Sequence, residues 1–278
     1  MKLFAVESNS QRLDGGSMFG NAPKAMWSKW VNVDEQNRIP LATRALLVKT
    51  DDNRNILFET GIGGFFEPKL KERYGVVEEE HMLLKNLHEL NIDEADIDAV
   101  VLSHLHFDHA GGILPSYGET PRLLFPNAKI YLGKQHWLQA KHPHMRERAS
   151  YIPLLYDLLA ESNRLVLIDE PHHPDLDFVT FHFSNGHTIG LMMSEIAHDD
   201  GPILFITDLV PGMAWVHLPI TMGYDRFSEE KIDEKKKTYE YLLKKNGRVF
   251  FTHDPETACG ILRQDEKGKF FVEASPLP

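Results

Sequence analysis

Three histidines and one aspartate occur within six consecutive residues of this 278-residue chain. Residues 103–112 read SHLHFDHAGG and directly follow an apolar run at 97–102 that predicts a buried strand. Imidazole and carboxylate groups bind divalent first-row metals, and sulfur is absent from the cluster. Two ligand pairs at i and i+2 and an adjacent histidine cannot all reach one ion without strain. The spacing therefore predicts that two ions a few ångströms apart share these ligands: His104, His106, Asp108 and His109.

Three later segments each place a further candidate ligand at or near the end of a predicted strand. They contribute His187 after an Asn-Gly turn, Asp208 after the apolar run at 203–206, and His253 after the run at 249–252. An apolar run that ends in a polar ligand suits a site at a sheet edge, because the strand fixes the direction of that side chain. With the cluster, they make seven candidate ligands.

The order HxHxDH, Gly-His, Asp and His over residues 103–253 resembles the metallo-β-lactamase fold superfamily. This resemblance implies an α/β fold, a four-layer αββα sandwich with metals at the sheet edges, formed as a single domain by residues 1–278. It also implies two divalent ions, zinc by default, with iron, cobalt or manganese as other metals for nitrogen and oxygen ligands. One ion would be held by His104, His106 and His187 and the other by Asp108, His109 and His253, with Asp208 as the bridge.

A second set of motifs resembles the YtnP-type lactonases, relatives of the quorum-quenching N-acyl homoserine lactonases. The motifs are DGGSMFGNAPKAMW at 14–27, FPNA at 125–128, DLVP at 208–211 and MGYD at 222–225. The chain departs from that pattern at 211–215, where PGMAW replaces residues expected to contact substrate.

The resemblance implies that a hydroxide bridging the metals opens a lactone ring. Asp108 would carry a proton to the leaving oxygen, and Tyr224 would donate a hydrogen bond to the carbonyl or oxyanion. Met18, Phe19 and Trp215 are the candidates for an apolar acyl pocket, and His217 is a further candidate substrate contact.

The ligand pattern leaves other activities open. The same hydroxide would attack a phosphotriester, a phosphodiester or a thioester. A persulfide dioxygenase of the same superfamily would bind a single iron through a subset of the ligands. A non-catalytic binding module would be a decayed site, and retention of all seven ligands argues against decay.

Composition narrows the choice of partners. The chain has 41 acidic and 30 basic residues and a net charge of −11, which disfavours binding to nucleic acid. The substrate that the resemblance implies is a small-molecule ester or lactone. Its one cysteine, Cys259, excludes an intrachain disulfide and is predicted to be a buried, inert thiol. The sequence shows no signal-peptide pattern and no membrane-length apolar run, so a cytoplasmic location away from membranes is expected.

Layered sheets with outer helices are expected to position the ligands. Strands are predicted at 2–7, 41–50, 56–60, 97–102, 129–132, 165–168, 178–183, 191–197, 203–207, 249–252, 260–262 and 270–272, and helices at 67–74, 78–90, 134–141, 146–161 and 228–246. Residues 9–40 are predicted as an aromatic-rich loop that covers the site or contacts a homodimer partner.

The pattern of the last helix predicts its cap and its faces. Ser228 is expected as the N-cap, and Ile232, Tyr239, Leu242 and Leu243 are expected on the buried side. The run Lys235-Lys236-Lys237 is expected on the solvated face.

Overall fold

The computed structural model describes residues 1–278, and the fold consists of strands β1–β14 and helices α1–α8. The strands are β1 Lys2–Val6, β2 Gln11–Asp14, β3 Arg38–Leu41, β4 Ala45–Lys49, β5 Asn55–Phe58, β6 Ala99–Leu102, β7 Lys129–Gly133, β8 Leu165–Ile168, β9 Val179–Ser184, β10 Leu191–Ile196, β11 Ile203–Phe205, β12 Arg248–Phe250, β13 Cys259–Gln264 and β14 Phe270–Ala274. The helices are α1 Gly15–Phe19, α2 Lys24–Trp27, α3 Pro68–Arg73, α4 Met82–Glu89, α5 Phe107–Ala110, α6 Lys134–Lys141, α7 Pro153–Glu161 and α8 Ser228–Lys245.

The chain forms two compact units, and the first comprises Met1–Gln11 and Ala42–Asp169. Its six-stranded sheet has the order β1-β4-β5-β6-β7-β8. The predicted hairpin is the antiparallel β4–β5 pair, and the strands from β5 to β8 pair in parallel. The carboxyl ends of neighbouring parallel strands meet at one sheet edge. The end of β5 and the histidine cluster after β6 are therefore close together.

The second unit comprises Arg12–Leu41 and Glu170–Pro278. Its six-stranded sheet has the order β14-β13-β12-β11-β10-β9, in which β11 and β12 pair in parallel and β10 is antiparallel to both β9 and β11. The carboxyl ends of β9, β11 and β12 consequently lie at the same edge. His187, Asp208 and His253 follow these three ends, which is the sheet-edge arrangement that the sequence predicts.

Residues 12–41 pack into the core of the second unit. The Phe19 ring stacks on the Trp215 ring, with centroids 4.6 Å apart, and also on the Trp27 ring at 5.4 Å. The indole nitrogen of Trp215 donates to the carbonyl of Met18 at 2.8 Å. The segment predicted as a loop thus contains α1, α2 and the paired strands β2 and β3. Its role at the site or in a dimer stays a prediction, as does the single-domain assignment.

Helix α8 begins and ends close to the predicted residues, but its cap and its buried face differ from the prediction. Ser228 is the first helical residue and Phe227 is the N-cap, because the Phe227 carbonyl already accepts from the amide of Lys231. Lys235 is completely buried, so its assignment to the solvated face is wrong. Of the four residues expected on the buried side, Tyr239 and Leu242 are buried, whereas Ile232 and Leu243 are only partly covered.

The helix predicted at 146–161 begins only at Pro153. A short 3-10 turn, Arg148–Ser150, precedes it, and Ile152 is extended. Proline disfavours a helical conformation at the preceding residue and cannot donate a backbone hydrogen bond, so it suits the first helical position. No helix combines the length and the apolar composition needed to cross a membrane.

Candidate metal-binding residues

The first unit brings together the four candidate ligands of the SHLHFDH segment. The His104 ring centroid lies 4.4 Å from that of His106 and 4.1 Å from that of His109, and all three rings are buried. The ligand atoms of His104 lie within 4.8 Å of those of His106 and His109, and those of Asp108 and His109 are equally close. The segment therefore has the compactness that shared metal ions require.

Tight backbone packing fixes this segment against the end of β5. The amide of Thr60 donates to the carbonyl of His109, and the amide of Gly112 donates to that of Gly61. A Cβ on Gly112 would lie only 2.0 Å from the Thr60 carbonyl oxygen, so a larger residue cannot occupy this position without a backbone shift. The two glycines after the histidines thus allow the close approach of two backbone segments.

Two buried glutamates lie behind two of these imidazoles. Glu59 Oε2 is 3.7 Å from His109 Nδ1, and Glu147 Oε2 is 3.6 Å from His106 Nε2. The amide of Ser103 donates to Glu59 at 2.8 Å and thereby orients that carboxylate. Carboxylates behind metal-binding histidines fix the ring orientation and raise its basicity. A metal would therefore be bound by Nε2 of His109 and Nδ1 of His106.

Hydrogen bonds also fix the residues around His104. The Ser103 hydroxyl contacts His104 Nδ1 at 2.8 Å, so a metal would use Nε2 of this ring. The amide of Leu105 donates to Nε2 of the buried His136 at 2.9 Å. Asp108 accepts from the side-chain amide of Gln11 at 2.8 Å, which orients the carboxylate predicted to carry a proton.

The second unit brings together the other three candidate ligands. The two oxygens of Asp208 face different imidazoles: Oδ2 lies 3.1 Å from His187 Nε2, and Oδ1 lies 3.1 Å from His253 Nε2. All three side chains are buried. Thr207, directly before Asp208, has a φ of +45°, a left-handed conformation that is rare for a β-branched residue. Such strain is often found where a functional side chain must be aimed.

A buried ion pair holds the outer nitrogen of His187. Asp225 Oδ1 lies 2.9 Å from His187 Nδ1 and accepts from Lys231 Nζ at 2.7 Å, while its second oxygen accepts from the amide of Met222. Burial raises the pKa of Asp225, but the charge of Lys231 and the contact with His187 outweigh it, so the pKa is lowered. Asp225 is thus an ionised acceptor that orients His187.

Glu59, Glu147 and Asp225 were not predicted from the sequence to support the ligands. Glu59 ends an apolar run, as Asp208 does, and Asp225 belongs to the quoted MGYD motif, so both had a signal. Glu147 lies between helices in a polar stretch that carries no such signal.

The other predicted site residues all lie in the second unit. Met18, Phe19 and Trp215 are core residues of that unit, and Trp215 also lines a cavity of about 540 Å³. His217 is exposed, and its pKa is lowered by partial burial and by the charges of Lys269 and Lys235. Tyr224, which is 40% exposed, immediately precedes Asp225. The substrate contacts and the catalytic tyrosine stay predictions.

The donor atoms fit divalent metals that bind nitrogen and oxygen. The first unit supplies three imidazoles and one carboxylate, and the second supplies two imidazoles and one carboxylate. The sole thiol, Cys259, is buried as predicted, and burial raises its pKa to about 11.

The sequence model of the metallo-beta-lactamase superfamily, as a protein family, matches residues 38–253 of this chain. That range contains all seven candidate ligands. The chain therefore belongs to the metallo-β-lactamase superfamily, and the predicted fold class is confirmed.

Solved structures and curated relatives agree with this assignment. A probable metal-dependent hydrolase from Staphylococcus aureus superimposes with a TM-score of 0.86 at 26% identity, over 99% of this chain and 98% of that one. AidC, a dizinc quorum-quenching lactonase solved with its product, gives a TM-score of 0.78 at 24% identity, over 99% and 95% of the two chains. A probable metallo-hydrolase of Mycobacterium tuberculosis is 30% identical over a 164-residue alignment, and the match covers 52% of this chain. The chain spans about half, 49%, of the length of this curated relative.

Proposed function

We propose that this protein is a dinuclear metal-dependent hydrolase that opens a lactone ring of the N-acyl homoserine lactone type. The observation that carries the proposal is Asp208, a buried carboxylate whose two oxygens each lie 3.1 Å from a different histidine. A carboxylate that presents both oxygens in this way is suited to bridge two ions.

The seven predicted ligands would hold two divalent ions, with zinc as the first candidate. Such a pair supplies a hydroxide nucleophile near neutral pH and polarises a carbonyl oxygen. The buried Glu59, Glu147 and Asp225 support this assignment, because outer carboxylates keep metal-binding imidazoles in place.

The chain's own residues would complete the chemistry. Asp108 would take the proton of the attacking hydroxide and pass it to the ring oxygen as the ester bond breaks, which returns the carboxylate to its ionised form, and the hydrogen bond from Gln11 keeps that carboxylate oriented. Tyr224 would donate a hydrogen bond from its hydroxyl to the carbonyl oxygen that gains negative charge. The buried side chains of Met18, Phe19 and Trp215 would exclude water from the acyl end of the substrate.

Lactones are proposed over other esters because of the motifs at 14–27 and 222–225 and because solved relatives of this fold include AidC and an N-acyl homoserine lactone hydrolase that binds its product at the catalytic metal centre. The net charge of −11 favours a small-molecule substrate over nucleic acid.

The test is the hydrolysis of N-acyl homoserine lactones of increasing chain length by the zinc-loaded protein, followed by proton release. A thioester and a phosphotriester serve as comparison substrates. We expect kcat/KM above roughly 10⁴ M⁻¹s⁻¹ for a lactone, well above the values for the comparison substrates. Asp208→Asn should abolish turnover and lower the bound metal, whereas Asp233→Asn, at an exposed position on α8, should change neither. Faster turnover of the phosphotriester or thioester would reject the lactone assignment.

The cytoplasmic location and the homodimer stay proposals of the same kind. Cell fractionation tests the first. Light scattering coupled to gel filtration tests the second, with a mass of twice 31.8 kDa expected.

A further inference from the structure

Helix α8 carries a stripe of buried polar side chains that the metal-binding residues explain only in part. Lys231, Lys235 and Tyr239 are spaced four residues apart and therefore lie on one face of the helix, and all are at most 1% exposed. Lys231 pairs with Asp225, as described above. Lys235 and Tyr239 instead contact the backbone of residues 215–220.

The ammonium of Lys235 donates to an unusual set of acceptors. Its Nζ lies within 3.1 Å of four backbone carbonyl oxygens, those of Trp215, His217, Leu218 and Ile220. Val216 lies between these acceptors, and its carbonyl accepts from the Tyr239 hydroxyl at 3.0 Å. Two side chains of one helix thus bind five carbonyls of a single short segment.

This segment depends on such partners because its backbone is mostly irregular. It begins with the 3-10 turn Met213–Trp215 and continues to residue 222 without joining a strand or an α-helix. Buried carbonyls outside regular structure need hydrogen-bond donors from elsewhere. Burial and the charge of Lys231 lower the pKa of Lys235, a cost that an apolar side chain would avoid. The four hydrogen bonds offset this cost and fix the direction of the carbonyls.

The start of the same segment forms part of a cavity wall. Met213, Ala214 and Trp215 line the cavity of about 540 Å³ together with residues 28–32 and 254–257. Asp254 in that lining directly follows the ligand His253, and its Oδ2 accepts from the amide of Met213 at 2.8 Å. The cavity is therefore next to a predicted metal ligand of the same unit.

We propose that Lys235 is a positioning residue that fixes residues 213–220 as the wall of a pocket for the acyl side chain of the substrate. The inference rests on the proposed function for the identity of the ligand, and on the geometry of the second unit for the role of Lys235. Tyr239 supports the same wall through one carbonyl.

The test replaces the ammonium while keeping the unbranched side chain, in Lys235→Met, with Lys236→Met at the adjacent exposed position as the matched control. We expect Lys235→Met to bind as much zinc as the wild type and to raise KM for a long-chain N-acyl homoserine lactone about tenfold, with a smaller change in kcat. Hydrogen exchange should become faster at the amides of residues 213–222 and stay unchanged in the sheet strands. Lys236→Met should match the wild type in every measurement.

The proposal would be overturned if hydrogen exchange at residues 213–222 were equally fast in Lys235→Met and Lys236→Met. It would also be overturned if Lys235→Met lost zinc in parallel with the change in KM. If the wild type opens no lactone, the proposed function fails, while the exchange measurement still decides the role of Lys235.

If Lys235→Met does not fold, Tyr239→Phe carries the test. Its control is Tyr241→Phe, which removes a hydroxyl that donates to Glu195 instead. Faster exchange near Val216 in Tyr239→Phe alone supports the proposal, and equal exchange in the two variants overturns it.

Discussion

Replacement of Asp225 by asparagine should weaken both the fold and the binding of metal. The change preserves the size of the side chain but removes the charge that pairs with Lys231, and both side chains are at most 1% exposed. It also replaces the carboxylate acceptor 2.9 Å from His187 Nδ1 with an amide, which is a weaker acceptor.

The magnitude follows from the burial of the ion pair. Removal of one partner of a buried pair leaves an unpaired charge and costs about 3–5 kcal/mol, and we expect the lower end of that range because the amide oxygen still accepts a hydrogen bond. Loss of a carboxylate behind a metal-binding histidine lowers metal affinity about 10- to 100-fold. The double variant Asp225→Asn/Lys231→Met removes both charges and should destabilise the protein by less than the sum of the single changes.

The free energy of unfolding is measured by urea titration of the metal-free protein, and zinc affinity by competition with a chromophoric chelator. Asp233→Asn, exposed on α8, is the control for the loss of one negative charge. The predicted role of Asp225 is refuted if Asp225→Asn costs under about 0.5 kcal/mol, the usual effect of a surface change, or if the effects of Asp225→Asn and Lys231→Met add up to that of the double variant.

Three further experiments, two on variants and one on the native protein, have outcomes that the structure predicts. Glu59→Gln should lower zinc affinity about tenfold or more, and Glu67→Gln, at an exposed position, should not; equal affinities in a chelator competition would contradict the role of Glu59. Burial raises the pKa of Glu195, but the hydrogen bonds from His182 and Tyr241 outweigh it and leave the pKa lowered, so its stabilising contribution is present above about pH 4.3 and is lost as pH falls through the lowered value. Glu195→Gln should therefore reduce the free energy of unfolding at about pH 7 and lose this effect at about pH 3, and an equal effect at both values argues against it. Cys259 should react with a thiol reagent at about pH 8 only after unfolding, because little thiolate forms in the folded protein; rapid labelling of the native protein would show that its pKa is not raised to about 11.

Much of the fold could be predicted because local patterns and tertiary packing agree. The hairpin β4–β5 has continuous apolar runs on both sides of an Asp-Asp-Asn turn, and α8 has acidic residues in its first turn and lysines in its last. The sheet-edge position of Asp208 and His253 followed from one rule, that an apolar run ending in a ligand directs it out of the sheet, and that of His187 followed from the turn after a predicted strand.

The residues that support the ligands could not be predicted as completely. Lys235 was expected in solvent because lysine is rarely buried, and its acceptors are carbonyls 15 to 20 residues earlier in the chain, which no local pattern reveals. Glu147 lies near His106 but is 41 positions later in the chain, and the stretch around Glu147 has no apolar periodicity. Such contacts are set by tertiary packing, which a single sequence does not display.

The division of the second unit between Arg12–Leu41 and Glu170–Pro278 has a consequence for biosynthesis. The hydrogen bond from Trp215 to Met18 joins residues that are 197 positions apart, so Phe19 and Trp27 must wait for the late part of the chain before their rings are covered. A ribosome adds about 5–20 residues per second, so these apolar side chains stay uncovered for roughly 10 s or more. The nascent protein therefore carries an aromatic segment that suits transient chaperone binding, and its refolding after dilution from denaturant should be slow and prone to aggregation at high protein concentration.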